Sequence, residues 1–390
     1  MYSKHFLKLL HYALLPSLFL GASSIKFNPR TKTFYTTKRS RIRLFKCTTI
    51  FFLVNSFFWG RTVEIFLYKG GNEHEYFRTS YAFSLSFSAV TLSSIFINIF
   101  QNPACQVMTQ IVRYAIYFEG EWMINYSPNQ SLTGTGLDVV ISSATVIFLT
   151  APLATIYHYL YFPETPIYPT NLLPDECRRH PLIYWGFAVI PVYYGFAGWQ
   201  TLIVFGFLGV VWIFSTLPLL CSEFRVSGKN QKSRDALRSA WNLPLEYRCV
   251  ELMHAQISAI AGYALAGFNV AIGQFVLFAN ATVIIDKAKL ATQVKLLLLG
   301  WSISAEIGWV FALEVCGRFH GNAKITLKSW KHMQFRTSQE KSYMSRFRKA
   351  CRPLRIGKEG LFIISRLTVL KFIRGVVKGT FRAVLTIGKV

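Results

Sequence analysis

Lys371, Arg374, Lys378 and Arg382 recur at intervals of three and four residues, so on a helix all four cations share one stripe. Such a stripe can border a water-filled path or rest on anionic lipid heads. Glu306 stands in an apolar stretch among Trp301, Ser302, Ser304 and Trp309, where a carboxylate needs a cavity, a neighbouring helix or water. Arg61 and Glu64 lie three apart in another apolar stretch and can pair on one helix face. Tyr81, His158, Tyr159, Tyr193, Tyr194 and Trp301 fall near the ends of apolar segments. Rings there either wall a small-molecule pocket or form an interfacial belt. His254 is the candidate general base, alone in an apolar-flanked helix with no Asn or Asp identifiable at a matching depth. Cys47, Cys105, Cys177, Cys221, Cys249, Cys316 and Cys351 are spread singly, without Cys-x-x-Cys or paired His, so no metal site, disulfide framework or other cofactor is expected.

Membrane-length segments must position these residues. A net charge of +25 would suggest nucleic acid in a soluble chain, but 52% hydrophobic content with 34 Phe and 19 Tyr assigns that charge to loops and excludes a nucleic-acid partner. Spans of about 20 apolar residues fall at 46–68, 80–101, 137–162, 183–220, 262–286 and 294–316, with a seventh at 359–388. The inward loops are then 102–136, 222–261 and 317–358; the outward ones, 69–79, 163–182 and 287–293, are short and nearly balanced in charge. Twelve Lys or Arg lie between Arg318 and Lys358. The first 24 residues have the make-up of a signal peptide. Cleavage would leave the cations from Lys26 to Lys46 outside, so a retained cytosolic or interfacial helix is expected. The glycosylation acceptors Asn125 and Asn129 lie in an inward loop and should stay unmodified.

Two segments pose physical questions. Leu182–Leu220 carries no formal charge for 39 residues and lacks a polar turn, which favours one long helix projecting into the cytosol over two spans. The last segment offers about −5 kcal/mol from its apolar residues against about +10 kcal/mol for four central cations. Alone it would not insert. It must border water in an assembled pore or lie in the interface.

Cys316 closes the sixth span, and after it come Ser329-Trp330, a basic helix running to Cys351-Arg352-Pro353-Leu354, then Gly360-Leu361-Phe362-Ile363-Ile364-Ser365-Arg366 and Thr380-Phe381. This order resembles the arthropod gustatory and odorant receptor superfamily, in which a glycine-aromatic-x-x-x-x-Arg segment leads into the final helix. Asn28-Pro29-Arg30-Thr31-Lys32-Thr33-Phe34 before the first span and a length near 390 agree with it. Ile387-Gly388 replaces the Gln-Phe expected after the Thr-aromatic pair. The resemblance implies an all-α, integral membrane seven-helix bundle with cytosolic helical extensions and the amino terminus inside. It implies a homo- or heterotetrameric ligand-gated channel in the plasma membrane, with its last helices around the pore and ligand held in the outer half of the bundle.

The expected organisation is an amino-terminal cytosolic or interfacial segment (1–45), a six-helix bundle (46–316), a basic cytosolic helical loop (317–358) and a final pore-type or interfacial helix (359–390). The expected function is a gustatory-type chemoreceptor, not an enzyme, with membrane lipid and a small molecule as partners. Tyr81, His158, Tyr193, Tyr194, Trp301 and Glu306 are its expected ligand residues. Trp330, Phe362, Thr380 and Phe381 are expected at assembly contacts, and the 317–358 loop should present Trp330, Met333, Phe335, Tyr343, Met344 and Phe347 to other subunits. The alternatives are a divergent non-sensory protein of the same fold and a lipid acyltransferase using His254.

Overall fold

The computed structural model describes residues 1–69, 71, 74, 76–124, 132–178, 180–226, 231–285 and 292–387. Asn125 and Asn129 lie outside them. The chain is an all-α bundle, its two β-ribbons being two-stranded and short. The helices are α1 (Lys4–Phe19), α2 (Lys38–Tyr68), α3 (Phe77–Trp122), α4 (Leu132–Thr150), α5 (Leu153–Tyr161), α6 (Asp175–Arg178), α7 (Pro181–Gly209), α8 (Leu217–Glu223), α9 (Asn242–Ile285), α10 (Thr292–Ser329), α11 (Ser338–Ala350) and α12 (Arg366–Ile387). Among the described residues, six elements are long and apolar enough to cross a membrane: α2, α3, α4 with α5, α7 with α8, α9, and α10.

Local chemistry sets the boundaries. Ser3 caps α1 by accepting from Phe6 N–H at 2.8 Å, and Thr37 forms a reciprocal capping box with Ser40 at the start of α2. Between strands β1 (Lys26–Asn28) and β2 (Thr33–Tyr35), Asn28 Oδ1 accepts from Arg30 N–H at 2.9 Å while Lys32 takes φ +55°. The familiar amino-terminal motif is therefore a tight hairpin. Pro152 interrupts the third expected span, dividing it into α4 and α5. The uncharged run is a single element: α7 passes through a π-turn, Val210–Thr216, into α8.

Phe6, Leu10, Ala13, Leu14 and Ser17 bury one face of α1 against α4 and α7. Tyr2 OH donates to Val211 O at 2.6 Å within the π-turn and also meets the Thr216 hydroxyl. Nearby, the buried Glu246 carboxylate accepts from Tyr114 OH (2.7 Å), Tyr117 OH (3.1 Å) and Trp122 Nε1 (3.0 Å), tying α3 to α9.

The helices α9 and α10 form an antiparallel pair in which Trp309 Nε1 donates to Asn269 Oδ1 at 3.0 Å and Ser302 Oγ to Asn280 Oδ1 at 2.8 Å. The last helix starts at Arg366 rather than 359, because β3 (Gly357–Lys358) and β4 (Phe362–Ile363) first make a ribbon. Ser365 N–H then donates to Thr368 Oγ1 at 2.9 Å. Close approaches guide α12 into its groove. A Cβ on Gly262 would lie 3.0 Å from Lys358 Cβ, one on Gly317 3.1 Å from Arg366 Cα, and one on Gly379 2.2 Å from Leu277 Cδ1. Phe372 reaches Gly273 in the same way, at 3.6 Å. Thus α12 follows α9 in the same direction, from the level of Gly262 to that of Leu277.

The aromatic face of the 317–358 loop differs from expectation. Trp330, Met333, Met344 and Phe347 are buried within the chain itself. Trp330 Nε1 donates to Phe224 O at 2.9 Å, and its ring packs on Tyr247 and Phe347. The lower ends of α8 and α9 supply partners that local periodicity cannot reveal. Tyr343 stays partly outside, stacked on the exposed Trp241 at 5.0 Å.

Candidate ligand site

At the end of the bundle expected to face outward, α2, α3, α5, α7 and α10 converge on a cluster of rings. Tyr194 meets Phe87 at 4.6 Å and Phe58 at 5.5 Å, both edge-on. Phe83 lies 4.8 Å from His158 and 5.4 Å from Trp301. Tyr168, in the loop after α5, packs edge-on against Tyr159 at 4.9 Å. Glycines let α7 come close: a Cβ on Gly195 would be 3.4 Å from Thr155 Cβ, and one on Gly198 3.3 Å from Val90 Cγ1.

The polar atoms of this cluster are incompletely used. His158 is fully buried and shares a 2.6 Å hydrogen bond between Nδ1 and Tyr168 OH, but its Nε2 has no partner among the described residues. Tyr194 is 1% exposed, and its hydroxyl is likewise unpartnered. Ser80 Oγ and Thr170 Oγ1 share that condition. An unmet buried polar group costs about 1–3 kcal/mol, and such groups need a physical account. An apolar cavity of about 290 Å³ adjoins the cluster between α5 and α7, sharing Tyr159 as a wall with Ile156, Trp185 and Val189.

Of the six expected ligand residues, His158, Tyr194 and Trp301 therefore meet. Tyr193 borders the cluster with its hydroxyl donating to Leu20 O at 3.0 Å. Tyr81 faces away, against Trp59 and Phe278. Glu306 is half-buried on α10 and has no hydrogen bond or ion pair among the described residues. Phe58, Phe83, Phe87 and Tyr168 were not anticipated. Phe83 and Phe87 carry an i, i+4 signal, whereas Tyr168 sits in a loop and carries none.

The remaining candidates have definite places. Arg61 pairs with Glu64 and donates through Nε to Pro166 O at 3.3 Å. His254 is held at both ring nitrogens: Trp212 Nε1 donates to Nδ1 at 3.3 Å, and Nε2 bonds Arg355 O at 2.9 Å. That geometry fastens α9 to the segment before β3 and leaves no free nitrogen for general-base chemistry. Lys371, Arg374, Lys378 and Arg382 are all exposed and have no ion-pair partner among the described residues. The opposite face of α12, with Val369, Phe372, Val376 and Thr380, is buried. Thr380 thus faces the protomer's own core; Phe362 is half-buried and Phe381 is exposed.

No family model matches the chain, and no curated protein sequence matches it significantly. Solved structures do match. The insect olfactory receptor OR5 from Machilis hrabei in complex with eugenol aligns over 98% of this chain and 99% of its own, with a TM-score of 0.70 at 9% identity. A second structure of the same receptor aligns over 96% of this chain and 97% of its own, with a TM-score of 0.67 at 10% identity. From end to end, this chain has the fold of an insect olfactory receptor.

Proposed function

We propose that this protein is a chemosensory receptor of the gustatory type, resident in the plasma membrane, which binds a small molecule at the outer ring cluster and opens an ion path as a tetramer. The observation that carries the reading is the two orphaned atoms, His158 Nε2 and Tyr194 OH, at a buried cluster of rings. A ligand with one polar group and an apolar body would satisfy them and bury its own surface at once. A solved receptor of this fold is in complex with eugenol. The gustatory assignment rests on the Gly360–Arg366 lead-in and the Thr380-Phe381 pair.

The ion path is assigned to α12. Its cations are exposed, yet the helix runs beside α9 rather than across the helix ends. At about 1.5 Å per residue its 22 residues cover about 33 Å, close to the thickness of a hydrocarbon core. Four cations at membrane depth require water, which an assembly of α12 copies around an axis provides.

A second reading, a non-sensory membrane protein of this fold, is favoured by one observation: the rings of the cluster fill it themselves, and the neighbouring cavity opens beside it rather than inside it. Recording from cells that express the chain, alone and with a candidate co-receptor, during application of eugenol and a panel of small phenols and sugars separates the two. A ligand-evoked current that His158→Ala and Tyr194→Phe weaken supports the receptor; normal surface expression with no response to any compound supports the alternative.

A further inference from the structure

We propose that a second site, far from the ring cluster, binds the phosphomonoester headgroup of an anionic membrane lipid. Between α9 and the segment that leads into α12 lies a cavity of about 310 Å³. His254 on its wall meets the ring of Phe319 at 6.0 Å, and Phe319 stands about 27 Å along α10 from Trp301 of the ring cluster. The walls carry Arg352, Arg355 and Lys358 against Glu251 and Glu359. Both carboxylates are taken: Glu251 pairs with Arg248, and Glu359 with Arg352 at 3.6 Å. Arg355 and Lys358 have no acidic partner among the described residues. Their two uncompensated charges match a phosphomonoester, which carries about −1.5 to −2 near neutral pH, better than a less charged diester. A guanidinium fork beside an ammonium point charge is also the pairing that suits phosphate oxygens.

The depth of the cavity identifies the carrier. From Leu252 to Ile285, α9 has no Asp, Glu, Lys or Arg, and the cavity spans the start of that stretch, from Glu251 to Ala259. Lys358 packs where Gly262 leaves room for it, its Nζ lying 5.0 Å from the centre of the exposed Tyr263 ring. A cation and an aromatic ring together at the edge of an apolar helix are the chemistry of the membrane interface. Ala255, Ala259 and Ile363 add an apolar wall, which suits the glycerol and upper acyl carbons of a lipid and has no use for a free phosphate. A headgroup seated there joins α9 to the ribbon before α12, adding to the 2.9 Å bond between His254 Nε2 and Arg355 O.

The test needs no ligand-evoked current. Purified full-length chain in a neutral detergent is titrated into fluorescent dioctanoyl phosphatidylinositol 4,5-bisphosphate, and binding is read by anisotropy. Saturable binding is expected. Arg355→Gln combined with Lys358→Gln should weaken it roughly 30-fold, whereas Lys341→Gln combined with Lys349→Gln, which removes the same charge from the exposed face of α11, should leave it near the unaltered value. Glu359→Gln, which takes an acid from the wall and releases Arg352, should tighten binding, a change that a poorly folded variant cannot imitate. No binding, equal losses from the two double changes, or weaker binding by Glu359→Gln overturns the site. Dioctanoyl phosphatidylserine binding as tightly as the bisphosphate overturns the phosphomonoester. Inositol 1,4,5-trisphosphate displacing the probe as well as the unlabelled lipid does overturns the lipid as carrier.

Discussion

Replacing Tyr194 with Phe separates a ligand handle from a packing residue, because the two roles predict changes of opposite sign. The ring makes edge-on contacts with Phe87 and Phe58, and Tyr194→Phe keeps them. What disappears is a hydroxyl that is buried and unpartnered. Its unmet desolvation is on the order of 1–3 kcal/mol, so the unliganded protein should become more stable. With about 2–4 °C per kcal/mol for domains of intermediate size, a rise of a few degrees is expected when the detergent-solubilised protein is heated and followed by fluorescence-detected size exclusion. Ligand response should move the other way. Losing one neutral hydrogen bond weakens binding by about 0.5–1.5 kcal/mol, or roughly 2- to 10-fold in the half-maximal concentration of any compound that evokes a response. A lower melting temperature would refute the reasoning, since it would mean that the hydroxyl is already satisfied. A higher one with an unchanged dose–response curve would remove Tyr194 from the ligand site.

Three further outcomes are expected. Glu246→Leu strands Tyr114 OH and Trp122 Nε1 at a combined cost of about 2–6 kcal/mol, so thermal denaturation should show a much larger loss than for Glu246→Gln. Gly357→Ala should lower folded yield well below Gly360→Ala: both glycines have positive φ, but a Cβ at 357 would lie 2.1 Å from Phe362 O whereas one at 360 meets nothing within 4 Å. In intact cells, a membrane-impermeant maleimide should label Cys177, which is exposed in the loop expected outside. After permeabilisation at neutral pH, Cys351 should stay slow, because burial pushes its thiol up to about 11, against the opposing pull of Arg248; absent labelling at Cys177 would reverse the topology.

The long helices were legible because apolar length alone determines them, and the unbroken element from Pro181 to Glu223 followed from the lack of any polar turn. Boundaries set by single residues were harder to read: Pro152 divides a run whose hydropathy is continuous, and Gly357 makes a ribbon where periodicity extends a helix. The site was legible in part. His158 and Tyr194 could be picked out as aromatics near span ends, but Phe58 and Phe83 come from other helices and join them only through tertiary packing. The misplacement of Trp330 has the same origin. An exposed-looking aromatic face states that a partner is needed, and only the fold shows that Phe224 and Tyr247 of the same chain provide it.

The π-turn below α7 has a consequence for helical phase. Widening a hydrogen bond from i→i+4 to i→i+5 admits one extra residue to the turn and sets all later side chains back by about 100°. Beyond Val210–Thr216, the residues Leu217, Leu220, Cys221 and Glu223 all point inward, and Glu223 accepts from Ser233 Oγ at 2.7 Å. An unbroken α-helix would rotate that face away from its partners. Tyr2, bonded to Val211 O, thus fixes the angular setting of an element more than 200 residues away in sequence, and the amino-terminal helix works as a phase lock on this end of the bundle.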